Sequence, residues 1–251
     1  MGLPDFLIVV IGAAAGGFVN GLAGFGTSLF ALGFFLSVLP VTQAVALVLL
    51  LSVLTGLQGI WVVRKTILDN PKRLTRFLLP ALVGIPLGVQ CLRFVDVQAL
   101  KLVVASFLLI YGGFFIARQN LPKFERSTPA VDAAVDAAVG LLGGFLGGLA
   151  SLSGALPTMW CSMRPWTKAE TRAVLQPFNI AVLGLSSALL AWRGAYTVET
   201  WWCALIAVPT ALASAQMGIA VFKRIPDATF RRLLIVLCFV SGLVLMARAL
   251  F

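Results

Sequence analysis

Apolar residues run through this chain in ten blocks separated by short polar breaks. The blocks are residues 6–23, 27–39, 41–63, 75–92 and 97–117, then 131–150, 154–163, 173–191, 200–221 and 233–251. An apolar block of about 20 residues is long enough to cross the hydrocarbon core as a helix. The second block of each set of five is too short for that. The pattern therefore predicts that the first two blocks of each set form a hairpin or broken helix pair, followed by three ordinary spans. The fold class expected is an all-α integral membrane protein of two inverted repeats, each a broken-helix hairpin plus three transmembrane helices, with about 8–10 membrane segments.

The polar breaks carry an echo. Gly17-Phe18-Val19-Asn20-Gly21-Leu22-Ala23-Gly24-Phe25-Gly26-Thr27 returns, altered, as Gly144-Phe145-Leu146-Gly147-Gly148-Leu149-Ala150-Ser151-Leu152-Ser153-Gly154, 127 residues later. Pro40-Val41-Thr42-Gln43-Ala44 is answered by Pro165-Trp166-Thr167-Lys168-Ala169, and Pro80 and Gly88 by Pro209 and Gly218. The chain reads as a first membrane repeat over 1–118, a cytoplasmic linker over 119–129 that is polar and holds two prolines, and a second repeat over 130–251. Clustered Gly and Ser predict helix breaks over Gly21 to Ser28 and Ala150 to Ala155, meeting near the bilayer centre. Broken backbone at that depth is tolerated only where protein buries it or it lines a cavity.

Charge sets the sidedness. Of the 19 Lys and Arg, fifteen fall in four clusters: Arg64 to Arg76, Arg118 to Arg126, Arg164 to Arg172, and Lys223 to Arg232. With a returning hairpin and three spans per half, all four clusters share one face. Arg93, Lys101, Arg193 and Arg248 lie on the other. Basic loops stay cytoplasmic, which puts both termini outside the cytoplasm and turns the second repeat upside down relative to the first. The composition agrees: 60% of residues are apolar, only 11% are charged, and a soluble chain of that balance could not cover its surface. The net charge of +10 does not point to nucleic acid, because the basic residues sit between apolar blocks. The chain has no histidine, and Cys91, Cys161, Cys203 and Cys238 lack paired spacing. No metal, haem, disulfide or other cofactor is expected. The first block has no basic residue before it and no clear cleavage site, and it reads as mature protein.

The residues Gly21 to Gly26, Gly147 to Gly154 with Pro157, and Pro80-Ala81-Leu82-Val83-Gly84-Ile85-Pro86-Leu87-Gly88 give the chain its resemblance to a known family. It resembles, over essentially its whole length, the sulfite exporter TauE/SafE family, also called the 4-toluene sulfonate uptake permease family. The resemblance implies a multi-pass protein of the bacterial inner membrane that moves small organic or sulfur-containing anions. Sulfite, sulfonates such as sulfoacetate, and small carboxylates are the implied substrates. Where the family often carries a Gly-Gly run in the second motif, this chain has Ser151 and Ser153, which add hydroxyl donors.

An anion needs several hydrogen-bond donors and some positive potential, and helix N-termini supply both. The breaks offer Gly24, Gly26, Thr27 and Ser28 in the first half, and Ser151, Ser153 and Gly154 in the second. The competing reading is that the glycines only permit close helix packing. Asn20, inside the first motif, is expected to help bind the anion. Arg172, Gln176 and Asn179, at i, i+4 and i+7, share one helical stripe. The amides read equally as substrate contacts or interhelical hydrogen bonds, and Arg172 as an electrostatic partner or a snorkelling anchor. Asp132 and Asp136, also i, i+4, could relay a proton, but a solvated helix start with favourable dipole charge accounts for them better. Trp160, Trp166, Trp201 and Trp202 fit an interfacial belt.

The function expected is secondary transport of a small anion by alternating access, with that anion and the lipid bilayer as partners and no nucleic acid. An anion channel of the same fold is the alternative. An intramembrane enzyme is a poor third, because no nucleophile–base pair or metal set is present. No phosphate-binding Gly-x-x-x-x-Gly-Lys-[Ser/Thr] loop occurs. The sequence sets no oligomeric state.

Overall fold

A computed structural model describes residues 3–91, 97–116, 128–150 and 153–250. Among these residues the protein is all helix, in the order α1 (Leu3–Ala23), α2 (Thr27–Phe35), α3 (Val41–Asp69), α4 (Pro71–Cys91), α5 (Val97–Ile116), α6 (Pro129–Ala150), α7 (Ala155–Met163), α8 (Lys168–Trp192), α9 (Val198–Arg224) and α10 (Asp227–Leu250). Each apolar block has become one helix. Several helices outrun their blocks: α3 continues through Arg64 and Lys65 to Asp69, and α8 starts at Lys168. Hydropathy marks what lies in hydrocarbon, whereas long basic side chains let a helix run on beyond it. The predicted linker, apart from Thr128 and Pro129, lies outside the described residues.

Helix boundaries follow local chemistry. Pro71 and Pro129 open α4 and α6, where a missing N–H costs nothing. The Thr197 side chain caps α9 by accepting from the Thr200 N–H at 3.4 Å. Among the described residues, six helices are long and apolar enough to cross a membrane: α1, α3, α6 (over Ala130–Gly148), α8, α9 and α10 (over Asp227–Ala247). At 9 residues each, α2 and α7 are too short. Large apolar side chains lie on the outside, among them Leu3, Leu7 and Ile11 along one stripe of α1. A helical chain so dressed is a multi-pass membrane protein.

The chain divides into two compact units, residues 1–62 with 179–225, and residues 63–178 with 226–251. Neither unit is one half of the sequence. In the first, α1 packs on α9, and α2 lies against α1. In the second, α4 packs on α6, and α5 on α10. Between helices in lipid there is little hydrophobic drive, so tight backbone approach has to hold them. Small residues four apart provide it. Gly17 and Gly21 of α1 sit on the backbone of Ala211 and Ala215 of α9. Gly140, Gly144 and Gly148 of α6 sit on Phe77, Ala81 and Ile85 of α4 in the same manner. The first unit adds a dry cluster in which Val9 and Ala13 meet Ala31, Phe35 and Leu39, with Leu47, Leu51 and Ala207.

These contacts leave no room for a methyl group. A side chain at Gly21 would overlap the carbonyl oxygen of Ala215, and one at Gly148 the carbonyl oxygen of Ile85. At Gly113 the nearest neighbour would be a Phe239 ring carbon at 3.7 Å, an ordinary contact. Gly21→Ala and Gly148→Ala should each cost about 1–3 kcal/mol through forced separation of paired helices. Gly113→Ala should stay within about 0.5 kcal/mol of the parent. Thermal unfolding in detergent checks this, and equal damage at all three positions would show that the glycine contacts are not what holds the pairs.

Candidate functional site

The first unit contains the break between α1 and α2. It is narrower than the clustered glycines suggest, because Gly21, Leu22 and Ala23 complete α1 and only Gly24 to Gly26 leave the helix. Gly24 (φ 86°) and Gly26 (φ 98°) adopt left-handed backbone that strains any other L residue. The Gly24 N–H closes the last turn of α1 on Asn20 O at 2.8 Å. The α2 helix then starts from Gly26, which offers no side chain as a cap. The first amides of a helix have no intrahelical acceptor, so the start of α2 has amides to spare and the positive end of a dipole.

Polar side chains fix this break. Asn179 Nδ2 donates to Gly24 O at 3.2 Å. Asn20 Nδ2 donates to Thr55 Oγ1 at 2.6 Å and to Ser52 O at 3.2 Å, tying α1 to α3. Thr55 in turn donates to Leu51 O at 2.6 Å. The first residue of α2 is different. Thr27 is 2% exposed and its hydroxyl has no hydrogen-bond partner in the protein. Ser28 beside it is half-buried. The same unit holds an open cavity of about 690 Å³ lined by Asp5, Glu199, Trp202, Cys203, Ile206 and the stretch Val38–Pro40. Two carboxylates at its wall make it a poor place for an anion.

The second unit holds the other break. Ser151 lies outside the described residues. Ser153 is buried, and Gly154 precedes α7, again without a side-chain cap. Arg172 of α8 is fully buried, and its Nε donates to Gln176 Oε1 at 3.1 Å, one turn on. The predicted stripe is thus partly joined: Arg172 and Gln176 bond each other, whereas Asn179 serves the α1–α2 break. Among the described residues no three His, Cys, Asp or Glu side chains gather closely enough to hold a metal ion.

A second cluster in this unit escaped sequence reasoning. Arg164, at the exit of α7, forms a two-pronged ion pair with Asp132 of α6, with Nη1 to Oδ1 at 2.7 Å and Nη2 to Oδ2. That hydrogen bond pushes the Arg164 guanidinium further up from its already high range, against the effect of burial. One turn along α6, Asp136 accepts from Trp160 Nε1 at 2.7 Å. Arg73 of α4 pairs with Glu170 at 2.7 Å and lies 4.5 Å from the centre of the Trp166 ring. Arg231 of α10 donates to Arg164 O at 3.0 Å and to Trp166 O at 3.4 Å.

Two expectations need correction here. Asp136 is only 2% exposed, so it is not part of a solvated helix start. Trp160 and Trp166 are held inside this network, whereas Trp201 and Trp202, at 56% and 63% exposed, stand where an interfacial belt would place them. A signal was available: two carboxylates one turn apart, with Trp160 in the short seventh block and Arg164 and Trp166 just after it.

The architecture defines a class first: an all-helical, multi-pass membrane protein whose short second and seventh helices each start directly after a glycine. A profile of the family described as sulfite exporter TauE/SafE matches residues 8–245. The chain belongs to that family, which makes it a membrane transport protein. No curated protein matches it, and no solved structure does.

Thr27 and Thr55 predict opposite responses to the same change. Thr55→Val removes the acceptor of the buried Asn20 amide and should cost about 1–3 kcal/mol. Thr27→Val removes a hydroxyl that bonds to nothing in the protein, so stability should be unchanged or slightly raised. Parallel melts of the two variants in detergent check this, and a large loss from Thr27→Val would show that its hydroxyl has a structural role.

Proposed function

We propose that the protein is a secondary transporter that moves a small sulfur-containing or organic anion, sulfite or a sulfonate such as sulfoacetate, across the bacterial inner membrane by alternating access. The observation that carries the reading is the start of α2. Uncapped amides, left-handed glycines and a buried hydroxyl without a partner converge there, within one turn. Such a place stores donors that the protein itself does not use. An oxyanion satisfies them through several modest hydrogen bonds, each worth about 0.5–1.5 kcal/mol net. Neutral donors hold an anion without trapping it, which suits a carrier that must release its load.

In this reading Gly26, Thr27 and Ser28 donate to the anion, and Gly24, whose N–H is bonded to Asn20 O and whose carbonyl accepts from Asn179, shapes the turn that presents them. Asn20 and Asn179 hold the backbone that presents them. Ser151, Ser153 and Gly154 offer matching chemistry at the second break, with Gln176 and the charge of Arg172 beside them in sequence order. The inverted-repeat reading, with repeats over 1–118 and 130–251, draws support from packing registers. Gly17 and Gly21 contact Ala211 and Ala215, and Gly144 and Gly148 contact Ala81 and Ile85. The glycine pairs are 127 residues apart and their partner pairs 130 apart. Each half thus contributes its first helix to one such pair and its fourth to the other, a relation that inverted repeats produce. The basic clusters favour periplasmic termini.

A thermal-shift screen of purified protein against sulfite, sulfoacetate, taurine, thiosulfate and acetate tests the reading. A ligand at about 100 times its Kd adds about 2.7 kcal/mol to the folded state. At least one sulfur oxyanion should raise the melting temperature, and Thr27→Val should lose roughly a fifth to a half of that rise while keeping its own stability. No shift with any of the five, or an undiminished shift in Thr27→Val, would overturn it.

A further inference from the structure

The Asp132–Asp136–Arg164–Trp160 cluster has no part in binding an anion, and two carboxylates would oppose it. We propose, building on the transporter reading, that Asp136 is the site that binds and releases the proton coupled to transport.

The first argument is a count of charge. Asp132 occupies both Nη atoms of Arg164, while Asp136 receives a neutral indole N–H. Of two carboxylates one turn apart, Asp132 is the one bonded to the guanidinium, and Asp136, bonded to a neutral donor with Arg164 and Arg76 acting on it through their charge, is the more deeply buried. A buried ion without a full counter-charge is costly, and taking up a proton removes the cost. The cluster is also not saturated: Arg164 Nε is buried and without a partner. Among the described residues, the titratable and charged groups facing Asp136 are Asp132 on α6, Cys161 on α7, Arg164 at the α7 exit, and Arg76 on α4. Arg73 of α4, near the same cluster, is held by Glu170.

The second argument is an internal control. The repeat places Val9 of α1 where α6 has Asp136, 127 residues on. Val9 is 0% exposed and packs with Phe35 and Leu39, from the short α2 and its exit. Asp136 and Trp160, with Arg164, hold the corresponding place against the short α7 and its exit. The scaffold thus fills this position with apolar side chains in one half. Its fold does not demand a carboxylate, and buried ionic sets are rarely kept for stability alone.

The third argument is reach. Arg164 is bound to α6 through Asp132 and, through its carbonyl oxygen, to Arg231 of α10. Its guanidinium also lies 5.2 Å from the Trp160 ring centre and 5.7 Å from that of Trp166. A change of charge at Asp136 is felt at the joint between α7 and α8, where movement would be needed to open one side.

Two measurements test this. In the first, purified wild type is titrated with pH while tryptophan emission is followed. The indole bonded to Asp136 should report a transition that is absent from Asp136→Asn and from Trp160→Phe. A transition identical in wild type and Asp136→Asn overturns the proposal. In the second, proteoliposomes take up radiolabelled sulfoacetate with the membrane potential clamped by potassium and valinomycin. One coupled proton makes a pH gradient of one unit support about a tenfold accumulation. Wild type and Asp136→Glu should accumulate sulfoacetate, and Asp136→Val, which copies Val9 of the other half, should only equilibrate it. Accumulation by Asp136→Val as high as wild type overturns the proposal. A wild type that moves no sulfoacetate at all counts against the transporter reading for that anion, and the emission titration still decides whether Asp136 binds the proton.

Discussion

Hydrocarbon offers a backbone amide no water to bond with, and this one constraint shapes the protein at every level. It makes helix the regular structure found among the described residues. It also makes any helix end away from water an event that needs an explanation. Two short helices are each preceded by a glycine that cannot cap them. Around the first end, the protein spends its polar side chains on the flanking backbone. Asn179 holds the Gly24 carbonyl, Asn20 is tied to α3, and the start of α2 has no side-chain cap at Gly26. Surplus donors at the positive end of a helix are the chemistry an oxyanion requires.

The same constraint removes the usual reason for helices to associate. Leucine is as comfortable against lipid as against another helix, so pairing falls to places where backbones can touch. Glycine and alanine four residues apart on α1 and α9, and on α6 and α4, make that touch. Both units carry such a glycine-on-backbone contact. The chemistry laid around it differs: around Val9 it is dry and apolar, and around Asp136 it carries a charged and aromatic network. Packing needs explain the first and leave the second to function.

Much of this was legible in the sequence. Ten apolar blocks gave ten helices because block length and helix length answer to the same bilayer. The glycine motifs located both breaks, but too broadly, since Gly21 in a packed helix is as useful as Gly24 in a turn. Helix partners were not legible. Nothing local in Gly17 or Gly21 says that its groove fits Ala211 and Ala215, nearly 200 residues away in the chain. Asp136 was misread for a related reason. An acid near a helix start suits the dipole whether solvated or buried, and its burial depends on Trp160 arriving from a different helix. The amides of Gln176 and Asn179 left two readings open in the sequence, substrate contact or interhelical bond, and their bonds to Arg172 and to the Gly24 carbonyl depend on folding that no local pattern reveals.

The central claim is that this is a carrier that alternates between two faces, and exchange kinetics test it most directly. Purified protein is reconstituted into vesicles, and entry of labelled sulfite is measured with and without unlabelled sulfite inside. A carrier must return its binding site to the outer face, and a loaded site returns faster than an empty one. The account predicts that entry saturates with external sulfite and is accelerated by sulfite inside. Entry that rises linearly with concentration and ignores the internal anion would contradict it, leaving a pore built on the same helices.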